Sequence, residues 1–437
     1  MNKSEILEVL NGWNFWTRTQ LTGIERRGLL DALAKLNSGN FVISIIGPRR
    51  SGKSVLIKQF AASLIKQGVS PRNILVVNFE DYRWQNLNLQ VLDKIYTAYL
   101  EKVNPSSDKM PYIFLDEVQK VPGWEGFART LLEKKDAHIF VSGSSAKLLS
   151  RELATLLTGR SLILEVFPLD FREFLAFKNI SIKDDLAIVS QKREIGALLD
   201  EYVEFGGFPE VALNRNKKEI LIQYFEDVLE KDIAERHRVR RKDKLKALAR
   251  FYLANVSNTI TFRSVEKFLQ IPLLTVERFS SFLEESYLLF FNKRFSFSLK
   301  EQSRSPRKVY SYDVGLANFS GFRFTKNTGR LYENIVAIEL KRQASKNRNL
   351  EIFYGNTSND REVDFIVKEG LRVRQVIQVT AKIDDFKVKE RETKPLCKFL
   401  DDLKLKEGLV ITEDYEDEEK IKGKKIIYMP LWKWLLR

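Results

Sequence analysis

The segment FVISIIGPRRSGKSVLIKQFAASLI, residues 41–65, constrains the fold of this chain more than any other. Its continuous apolar run predicts a buried parallel strand, and the pattern that begins after Gly52 predicts a helix. The loop between them fits G-x-x-x-x-G-K-[ST], in the strand–loop–helix setting that a phosphate-binding loop requires. The candidate nucleotide-binding residues are Gly47, Pro48, Arg49, Arg50, Ser51, Gly52, Lys53, Ser54 and Val55.

Each residue type in this loop suits phosphate chemistry. Glycines allow backbone N–H groups to close around a β-phosphate at a helix N-terminus, where the helix dipole favours anions. Lys53 is expected to contact the β- and γ-phosphates, and the Ser54 hydroxyl is expected to ligate Mg²⁺. The segment therefore predicts ATP and Mg²⁺ as cofactors.

A second strand-like run ends in two acidic residues. In MPYIFLDEVQKVPGWE, the apolar residues Tyr112 to Leu115 predict a buried strand, and Asp116 and Glu117 follow at its carboxyl end. Asp116 is placed to hold Mg²⁺ through water, as a Walker B aspartate does. Glu117 suits a base that polarises the attacking water, which favours nucleotide hydrolysis over binding alone.

Two further strand-like runs end in short polar residues. The run in NILVVNFEDYRW ends at Asn78, whose side chain is a candidate for holding Glu117 away from water. The strand-like run in AHIFVSGSSAKLL ends in Ser142 to Ser145, and Ser144 is the candidate sensor of the γ-phosphate. Ordinary turn formation is the alternative for both segments. The alternation of strands and helices predicts a parallel sheet covered on both faces.

Two of the arginines in SRELATLLTGRSLILEVFPLDFREFLAF, Arg151 and Arg160, are of interest here. Each is a candidate arginine finger, supplied to a neighbouring subunit to stabilise charge on the γ-phosphate. Arg160 follows a glycine and is the better candidate. A surface arginine on a helix is the alternative interpretation.

Several of these segments together resemble one family. GPRRSGKS, LDEVQKVPGWE, SGSSAKLLSRELATLLTGR and PLDFREFL are similar to the prokaryotic AAA-type ATPases with a C-terminal DUF4143 region, which are relatives of the archaeal-type ATPases. YVEFGGFPEVAL and YFEDVLEKDIAERH resemble the helical lid of that family and its exit helix. The resemblance covers nearly the whole chain, and some relatives are linked to DNA transactions or defence. It implies nucleotide contacts at Gly47, Gly52, Lys53 and Ser54, and metal and catalytic roles at Asp116 and Glu117.

The composition narrows the choice of partner and compartment. With 73 Lys and Arg against 58 Asp and Glu, the formal net charge of +15 favours an anionic partner, nucleic acid first and a membrane surface second. A single cysteine, Cys397, excludes an internal disulfide, and two histidines, His138 and His237, exclude a His-rich metal site. No apolar run reaches the roughly 18 residues that span a bilayer. The segment MNKSEILEVLNGW has no apolar signal core, so we expect a cytoplasmic protein.

The middle of the chain is basic and has the pattern of a winged helix. Residues 235–250, ERHRVRRKDKLKALAR, favour phosphate contacts, with a solvated helix face as the alternative. Helices near 264–269 and 274–285, followed by a strand pair within 287–312, predict the winged helix. The second helix carries several acidic residues, which favours packing between domains over reading of DNA bases. Candidate phosphate contacts in the wing are Arg294, Arg304, Arg307 and Lys308.

The C-terminal quarter resembles a PD-(D/E)XK nuclease core, with a helix, a hairpin and a further strand in that order. A working centre would place Glu333, Asp364 and a Glu-x-Lys motif around Mg²⁺. Gln378 and Thr380 stand where that glutamate and lysine are expected. Gln378 still offers a carbonyl oxygen, and Lys382 lies one pleat further on the same face. These replacements favour a degenerate fold that does not cleave nucleic acid.

Together these features predict an α/β protein of four parts. They are an AAA+ P-loop parallel-sheet ATPase core at 1–170, a helical lid at 171–235, a winged-helix-like domain at 236–312 and a restriction-endonuclease-like α/β domain at 313–437. The expected function is Mg²⁺-dependent ATP hydrolysis by a homo-oligomer that acts on or with DNA through its basic C-terminal module. A regulatory or protein-remodelling switch with a protein partner, and an ATP-gated nuclease, are the alternatives.

Overall fold

The structure, a computed structural model, describes residues 1–104, 109–144, 159–182, 184–321, 328–356, 362–383 and 385–437. Two residues named above, Ser145 and Arg151, lie outside the described ranges. The chain divides into two units, Met1–Val166 and Phe167–Arg437. This division falls close to the predicted end of the ATPase core at residue 170, and the other predicted boundaries stay predictions.

The first unit contains a five-stranded sheet. Its strands are β1 (Val42–Ile46), β2 (Ile74–Asn78), β3 (Tyr112–Asp116), β4 (His138–Gly143) and β5 (Ser161–Glu165). Neighbouring strands all pair in parallel, in the order β2-β3-β4-β1-β5. Every position of β1 and β2 is buried, as continuous apolar runs require in a sheet covered on both faces. The predicted parallel α/β sheet is confirmed.

Helices of the first unit pack on this sheet. They are α1 (Lys3–Asn11), α2 (Arg27–Leu36), α3 (Lys53–Lys66), α4 (Leu89–Lys102) and α5 (Trp124–Lys134), with single 3-10 turns at Pro71–Asn73 and Val118–Lys120. The ring of Phe60 on α3 lies 6.3 Å from that of Phe114 on β3 and 5.3 Å from that of Phe140 on β4. These contacts fix α3, and therefore the loop that precedes it, relative to the ends of both strands.

The second unit begins with helices. They are α6 (Phe171–Phe177), α7 (Asp185–Ser190), α8 (Lys192–Phe205), α9 (Pro209–Leu213) and α10 (Lys217–Asp227), and a π-helix over Val228–Glu235 continues α10. This segment is helical, as the lid prediction requires, and its role as a lid stays a prediction. Throughout the described ranges, no helix has both the length and the apolar character needed to cross a membrane.

A nine-stranded mixed sheet follows in the second unit. Its strands are β6 (Thr259–Ile260), β7 (Leu289–Arg294), β8 (Arg307–Ser311), β9 (Leu350–Asn356), β10 (Glu362–Glu369), β11 (Arg372–Val379), β12 (Glu407–Thr412), β13 (Asp417–Ile421) and β14 (Lys424–Pro430). Their order is β13-β14-β12-β11-β10-β9-β7-β8-β6. The helices are α11 (Lys242–Ala254), α12 (Phe262–Leu269), α13 (Leu273–Glu285), α14 (Leu299–Arg304), α15 (Val314–Ser320), α16 (Thr328–Lys346), α17 (Phe386–Asp402) and α18 (Leu431–Leu435).

The region predicted as a winged helix has the required order of elements. Helices α11, α12 and α13 lead into β7 and β8, and β8 pairs antiparallel with both β7 and β6. The winged-helix assignment itself stays a prediction. β7 also pairs in parallel with β9, where Lys293 faces Phe353 and Arg294 faces Tyr354. One sheet therefore continues across the predicted domain boundary at residue 312.

A buried carboxylate joins the helical segment to α15. Asp313 accepts hydrogen bonds from the backbone N–H groups of Gly207 at 2.7 Å, Gly315 at 2.9 Å and Leu316 at 3.2 Å. Burial raises the pKa of Asp313 to about 6. Gly206 ends α8 with φ +75°, and a Cβ at this position would lie 2.1 Å from Asp313 Oδ1. The hydrogen-bonded position of the Asp313 carboxylate therefore requires a glycine at position 206.

We expect Gly206→Ala to destabilise the chain by about 2 to 4 kcal/mol, because the methyl group meets Asp313 and the backbone conformation favours glycine. Urea unfolding measures this loss. Gly196→Ala is the control: that glycine lies within α8, nothing would contact the added methyl group, and about 0.5 to 1 kcal/mol of stabilisation is expected. Equal midpoints for Gly206→Ala and the parent would contradict the role of this contact.

Candidate functional site

The predicted phosphate-binding loop connects β1 to α3 through two glycines in unusual conformations. Gly47 has φ +146°, and a Cβ there would lie 2.2 Å from the carbonyl oxygen of Val166. Gly52 has φ +97° and immediately precedes α3. Because side chains are strained in these conformations, the two glycines of the motif are required by the path of the loop. The N-terminus of α3 faces the end of β1 as a result.

Lys53 lies across the loop. Its Nζ donates hydrogen bonds to the carbonyl oxygens of Gly47 at 3.1 Å and Pro48 at 2.8 Å. The carbonyl oxygen of Ser51 accepts a hydrogen bond at 2.9 Å from Arg26, whose side chain is buried. Arg26 comes from the segment before α2 and was not singled out from the sequence, since nothing in the loop motif points to it. It holds the backbone of the loop from outside.

The remaining loop residues lie nearer the surface. Arg49 forms an ion pair with Glu80 at 3.4 Å. Arg50 is exposed and has φ +68°, a left-handed conformation that few residues other than glycine adopt. Val55, on the first turn of α3, is partly exposed. Their contacts with nucleotide stay predictions.

Asp116 is the buried centre of this site. The Ser142 hydroxyl donates a hydrogen bond to Oδ1 of its carboxylate, and the Ser54 hydroxyl lies close enough to lower the pKa of the same carboxylate. Burial raises the pKa of Asp116, the neighbouring Glu117 carboxylate raises it further, and the two serines and Lys53 act in the opposite direction. Ser54 and Asp116 are the two residues predicted to hold Mg²⁺. Their contact places a hydroxyl and a carboxylate oxygen side by side, which suits a hard cation.

Ser142 also contacts the residue predicted as the catalytic base. The backbone N–H of Glu117 donates to Ser142 Oγ at 3.1 Å. Glu117 has φ +55°, and its Oε2 accepts a hydrogen bond from Gln119 at 2.5 Å. A left-handed conformation at a residue other than glycine is typical of strained functional positions. One serine hydroxyl on β4 therefore fixes both acidic residues at the end of β3.

Asn78 and Ser144, predicted as a restraint on Glu117 and a phosphate sensor, both lie at strand ends of the same sheet. Asn78 faces Asp116 in the strand register, and its side-chain oxygen accepts the N–H of Glu80 at 2.7 Å. Ser144 is buried, and its hydroxyl makes no hydrogen bond within the part of the chain that the structure describes. Their proposed contacts, with Glu117 and the γ-phosphate, stay predictions.

The arginine-finger candidate Arg160 precedes β5. Its Nη1 lies 2.7 Å from Glu133 Oε1, and half of the arginine side chain is exposed. Its backbone carbonyl accepts the N–H of Val42, which joins the start of β5 to that of β1. The guanidinium is thus held at the surface of its own subunit, and a role towards a neighbour stays a prediction.

The second unit contains a separate acidic centre. Glu333 on α16 and Asp364 on β10 are brought together, as the nuclease-like prediction requires, and Lys308 on β8 lies between them at 2.8 Å from each. Glu362 Oε1 lies 2.5 Å from the same Nζ, and Tyr310 donates to Glu333 at 2.6 Å. We call these five residues the Lys308 cluster. The interpretation of Lys308 as a phosphate contact in the wing is wrong, because its side chain is only 1% exposed.

Gln378 and Lys382 have other contacts. Gln378 Oε1 accepts the N–H of Asp364 at 3.3 Å, and its Nε2 donates to Glu392 at 2.8 Å. Lys382 is exposed, and its carbonyl oxygen accepts the Thr380 hydroxyl at 3.2 Å. The structure therefore does not bring Lys382 to Glu333 and Asp364. The lysine at this centre comes from β8, and the Glu-x-Lys pattern gave no signal for it.

Comparisons with known proteins assign families to most of the chain. An AAA domain matches residues 39–175, a domain of unknown function, DUF8612, matches residues 196–326, and DUF4143 matches residues 328–434. Among solved structures, the Walker-type ATPase of Pyrococcus abyssi has 12% identity and a TM-score of 0.44, covering 70% of this chain and 99% of that chain.

Two relatives match along nearly the whole length. An uncharacterized protein of Methanocaldococcus jannaschii is 35% identical over 412 residues, covering 91% of this chain and 88% of the relative. An uncharacterized protein of Haemophilus influenzae is 31% identical over 417 residues, covering 94% of this chain and 98% of the relative. Such a family match supports nucleotide binding and ATPase activity at the P-loop site. The chain belongs to the family of AAA-domain ATPases that carry a C-terminal DUF4143 domain.

Proposed function

We propose that this chain is a Mg²⁺-dependent ATPase that acts with nucleic acid. One observation carries the ATPase part: the hydroxyl of Ser54, on the phosphate-loop helix, lies close enough to the carboxylate of Asp116, at the end of β3, to lower its pKa. Lys53 and Glu117 flank this pair in the sequence. A phosphate-binding loop and an acidic strand end are thus in direct contact, as a nucleotide-hydrolysing centre requires.

Each residue then has one role. Lys53 exchanges its bonds to the carbonyl oxygens of Gly47 and Pro48 for phosphate oxygens of the nucleotide. Ser54 and Asp116 hold Mg²⁺, which neutralises phosphate charge when bound. Glu117 orients and polarises the attacking water.

Glu117→Gln is expected to bind ATP but to lower turnover by about 10²- to 10⁴-fold, because the amide cannot accept the proton of the attacking water. Lys53→Ala is expected to abolish ATP binding, since it removes the ammonium that contacts phosphate. Phosphate release and binding of a fluorescent ATP analogue measure the two effects. Turnover of Glu117→Gln at the parental rate would show that the base assignment is wrong.

Ser142→Ala is expected to lower turnover by about tenfold or more while ATP still binds, because Asp116 and Glu117 each lose a contact with its hydroxyl. Ser44→Ala is the matched control. Ser44 is an equally buried serine on the adjacent strand β1, and its hydroxyl makes no hydrogen bond within the described residues. Equal losses in the two variants would mean that Ser142 acts only through packing.

The nucleic-acid part rests on a basic cleft of about 440 Å³ in the second unit. One wall is the segment of residues 237–244, and the other is the N-terminal half of α13. Its cationic lining residues are Arg238, Arg240, Arg241, Lys244 and Arg278. The positive end of the α13 dipole adds to their field. A concave surface of this charge suits the phosphate backbone of a nucleic acid.

Few carboxylates neutralise this cleft. Arg241 pairs with Asp243 at 3.2 Å. Over the ranges that the structure describes, Arg238, Arg240 and Lys244 form no salt bridge. His237 stacks on Phe282 with ring centroids 3.7 Å apart, and its Nε2 is 3.8 Å from Glu285. The net positive lining supports contacts with phosphate groups and not with bases, in agreement with the acidic character of α13.

Arg240→Glu/Lys244→Glu is expected to weaken binding of labelled single- or double-stranded DNA by about tenfold or more at low salt. Loss of two phosphate contacts should also reduce the slope of log affinity against log salt by about 2. Fluorescence anisotropy across a salt series measures both. Lys387→Glu/Lys406→Glu is the control, because it makes the same charge change at two exposed lysines outside the cleft.

Two outcomes would contradict the nucleic-acid proposal. One is equal loss of binding in the cleft variant and its control. The other is ATP hydrolysis that neither DNA nor RNA stimulates, with no binding of either at low salt. Nucleotide-dependent assembly without any effect of nucleic acid on turnover would instead favour the protein-remodelling switch.

We also propose that the chain works in the cytoplasm as a homo-oligomer in which Arg160 reaches a neighbour's nucleotide. The exposed ion pair between Arg160 and Glu133 supports this, because such pairs contribute little and are readily exchanged. Size measurement of Glu117→Gln with and without ATP tests the assembly directly.

A further inference from the structure

The ammonium of Lys308 is enclosed by carboxylates and remains charged. Its Nζ lies within 2.5 to 2.8 Å of oxygens from Glu333, Glu362 and Asp364. Burial by itself lowers the pKa of Lys308, but the carboxylates of Asp364 and Glu333 more than offset this, and the pKa rises well above its ordinary value. A buried charge requires such partners, because it has given up its water.

The carboxylates share this one cation. Burial, together with the nearby Asp364, raises the pKa of Glu333 to about 8. Burial also raises the pKa of Glu362. Tyr310 donates to the Glu333 oxygen that contacts Lys308. The ammonium of Lys308 therefore has hydrogen-bond partners from three carboxyl groups without an added ion.

A metal does not fit this centre as it stands. Three carboxylate oxygens converge on one point, as the ligands of a divalent cation do, but a lysine nitrogen occupies that point. The Nζ–O distances of 2.5 to 2.8 Å are those of charge-assisted hydrogen bonds from an ammonium to carboxylates. Across the described ranges, no group of three or more His, Cys, Asp or Glu residues is arranged to hold a metal ion.

We propose that Lys308 is the resident cation of this nuclease-like centre, taking the place of a divalent metal and closing the site to it. The ammonium comes from β8, while its partners come from α16 and β10. Its ion pairs therefore connect the β7–β8 hairpin to α16 and β10 of the DUF4143 domain. The acidic residues of a cleavage centre serve as internal partners of a lysine.

Gln378 stands where a nuclease centre of this type has a glutamate, and this difference agrees with the role of Lys308. A glutamate there would add another carboxylate next to Asp364 without another cation to balance it. Gln378 is neutral, and its side-chain oxygen accepts the backbone N–H of Asp364. Asp364 Oδ2 in turn accepts the N–H of Val379 at 2.9 Å. The amide keeps the strands β10 and β11 tied together at the cluster without increasing its negative charge.

Lys308→Ala should convert the cluster into a divalent-cation site. Terbium is the probe, because Tyr310 lies at the cluster and can sensitise its luminescence. We expect the full-length variant, without nucleotide, to bind one additional Tb³⁺ that Ca²⁺ displaces, with a Ca²⁺ dissociation constant on the order of 10⁻⁴ M or tighter. Ca²⁺ should also raise its unfolding temperature but leave that of the parent unchanged.

Two controls assign the signal to this site. Lys308→Ala/Asp364→Asn should lose the added luminescence, because one of the three carboxylates is gone. Lys368→Ala removes another lysine of the same domain, one paired with Glu351 at the surface, and should gain no site. A folded Lys308→Ala that binds no additional Tb³⁺ would overturn the proposal. Cluster binding by the parent, lost in Asp364→Asn, would also overturn it and make Lys308 part of a metal-dependent centre.

If Lys308→Ala does not fold, the proposal is tested by comparing the unfolding temperatures of two variants that differ in the charge of the cluster. Lys308→Met leaves the carboxylates without their cation, whereas Lys308→Met/Glu333→Gln/Asp364→Asn removes most of the excess charge. We expect the triple variant to unfold at a higher temperature than Lys308→Met. A triple variant that is no more stable than the single one would overturn the proposal.

Discussion

The register of the parallel sheet is the constraint on which the candidate ATPase site depends. β4 lies between β3 and β1, so Ser142 at the end of β4 reaches Asp116 at the end of β3. On the other side, β1 is followed directly by Gly47, whose close approach to the Val166 carbonyl leaves no room for a side chain. The loop must then turn so that α3 begins beside the same edge. A shift of one residue between β3 and β4 would separate Ser142 from Asp116.

The two acidic centres of the chain stabilise their buried carboxylates in different ways. Asp116 is surrounded by serine hydroxyls, which stabilise a carboxylate only partly and leave its pKa raised by burial. Such a group gains from an added cation. Asp364 and Glu333 instead share the ammonium of Lys308, which is part of the chain. Under the proposed function, the first centre would bind a cation together with the nucleotide, whereas the second has a permanent structural role.

Sequence patterns predicted the elements of the second unit better than their connections. The order of helices and strands in the winged-helix-like region follows the pattern of apolar residues. The parallel pairing of β7 with β9 does not, because Lys293 and Phe353 are distant in sequence and their pairing leaves no local signal. The prediction of Lys308 as a phosphate contact was wrong for the same reason, because Glu333 and Asp364, which surround its buried side chain, are distant in sequence.

The sequence by itself determined the phosphate loop, the acidic strand end, the parallel α/β sheet and the family, because each is encoded within a short run of residues whose spacing carries the chemistry. Only the tertiary structure decided which groups meet at each centre. Ser142 and Asp116 are 26 residues apart, and Lys308 lies 25 residues from Glu333 and 56 from Asp364. Whether a lysine lies in water or replaces a metal depends on burial, and burial is set by the packing of elements that are far apart along the chain.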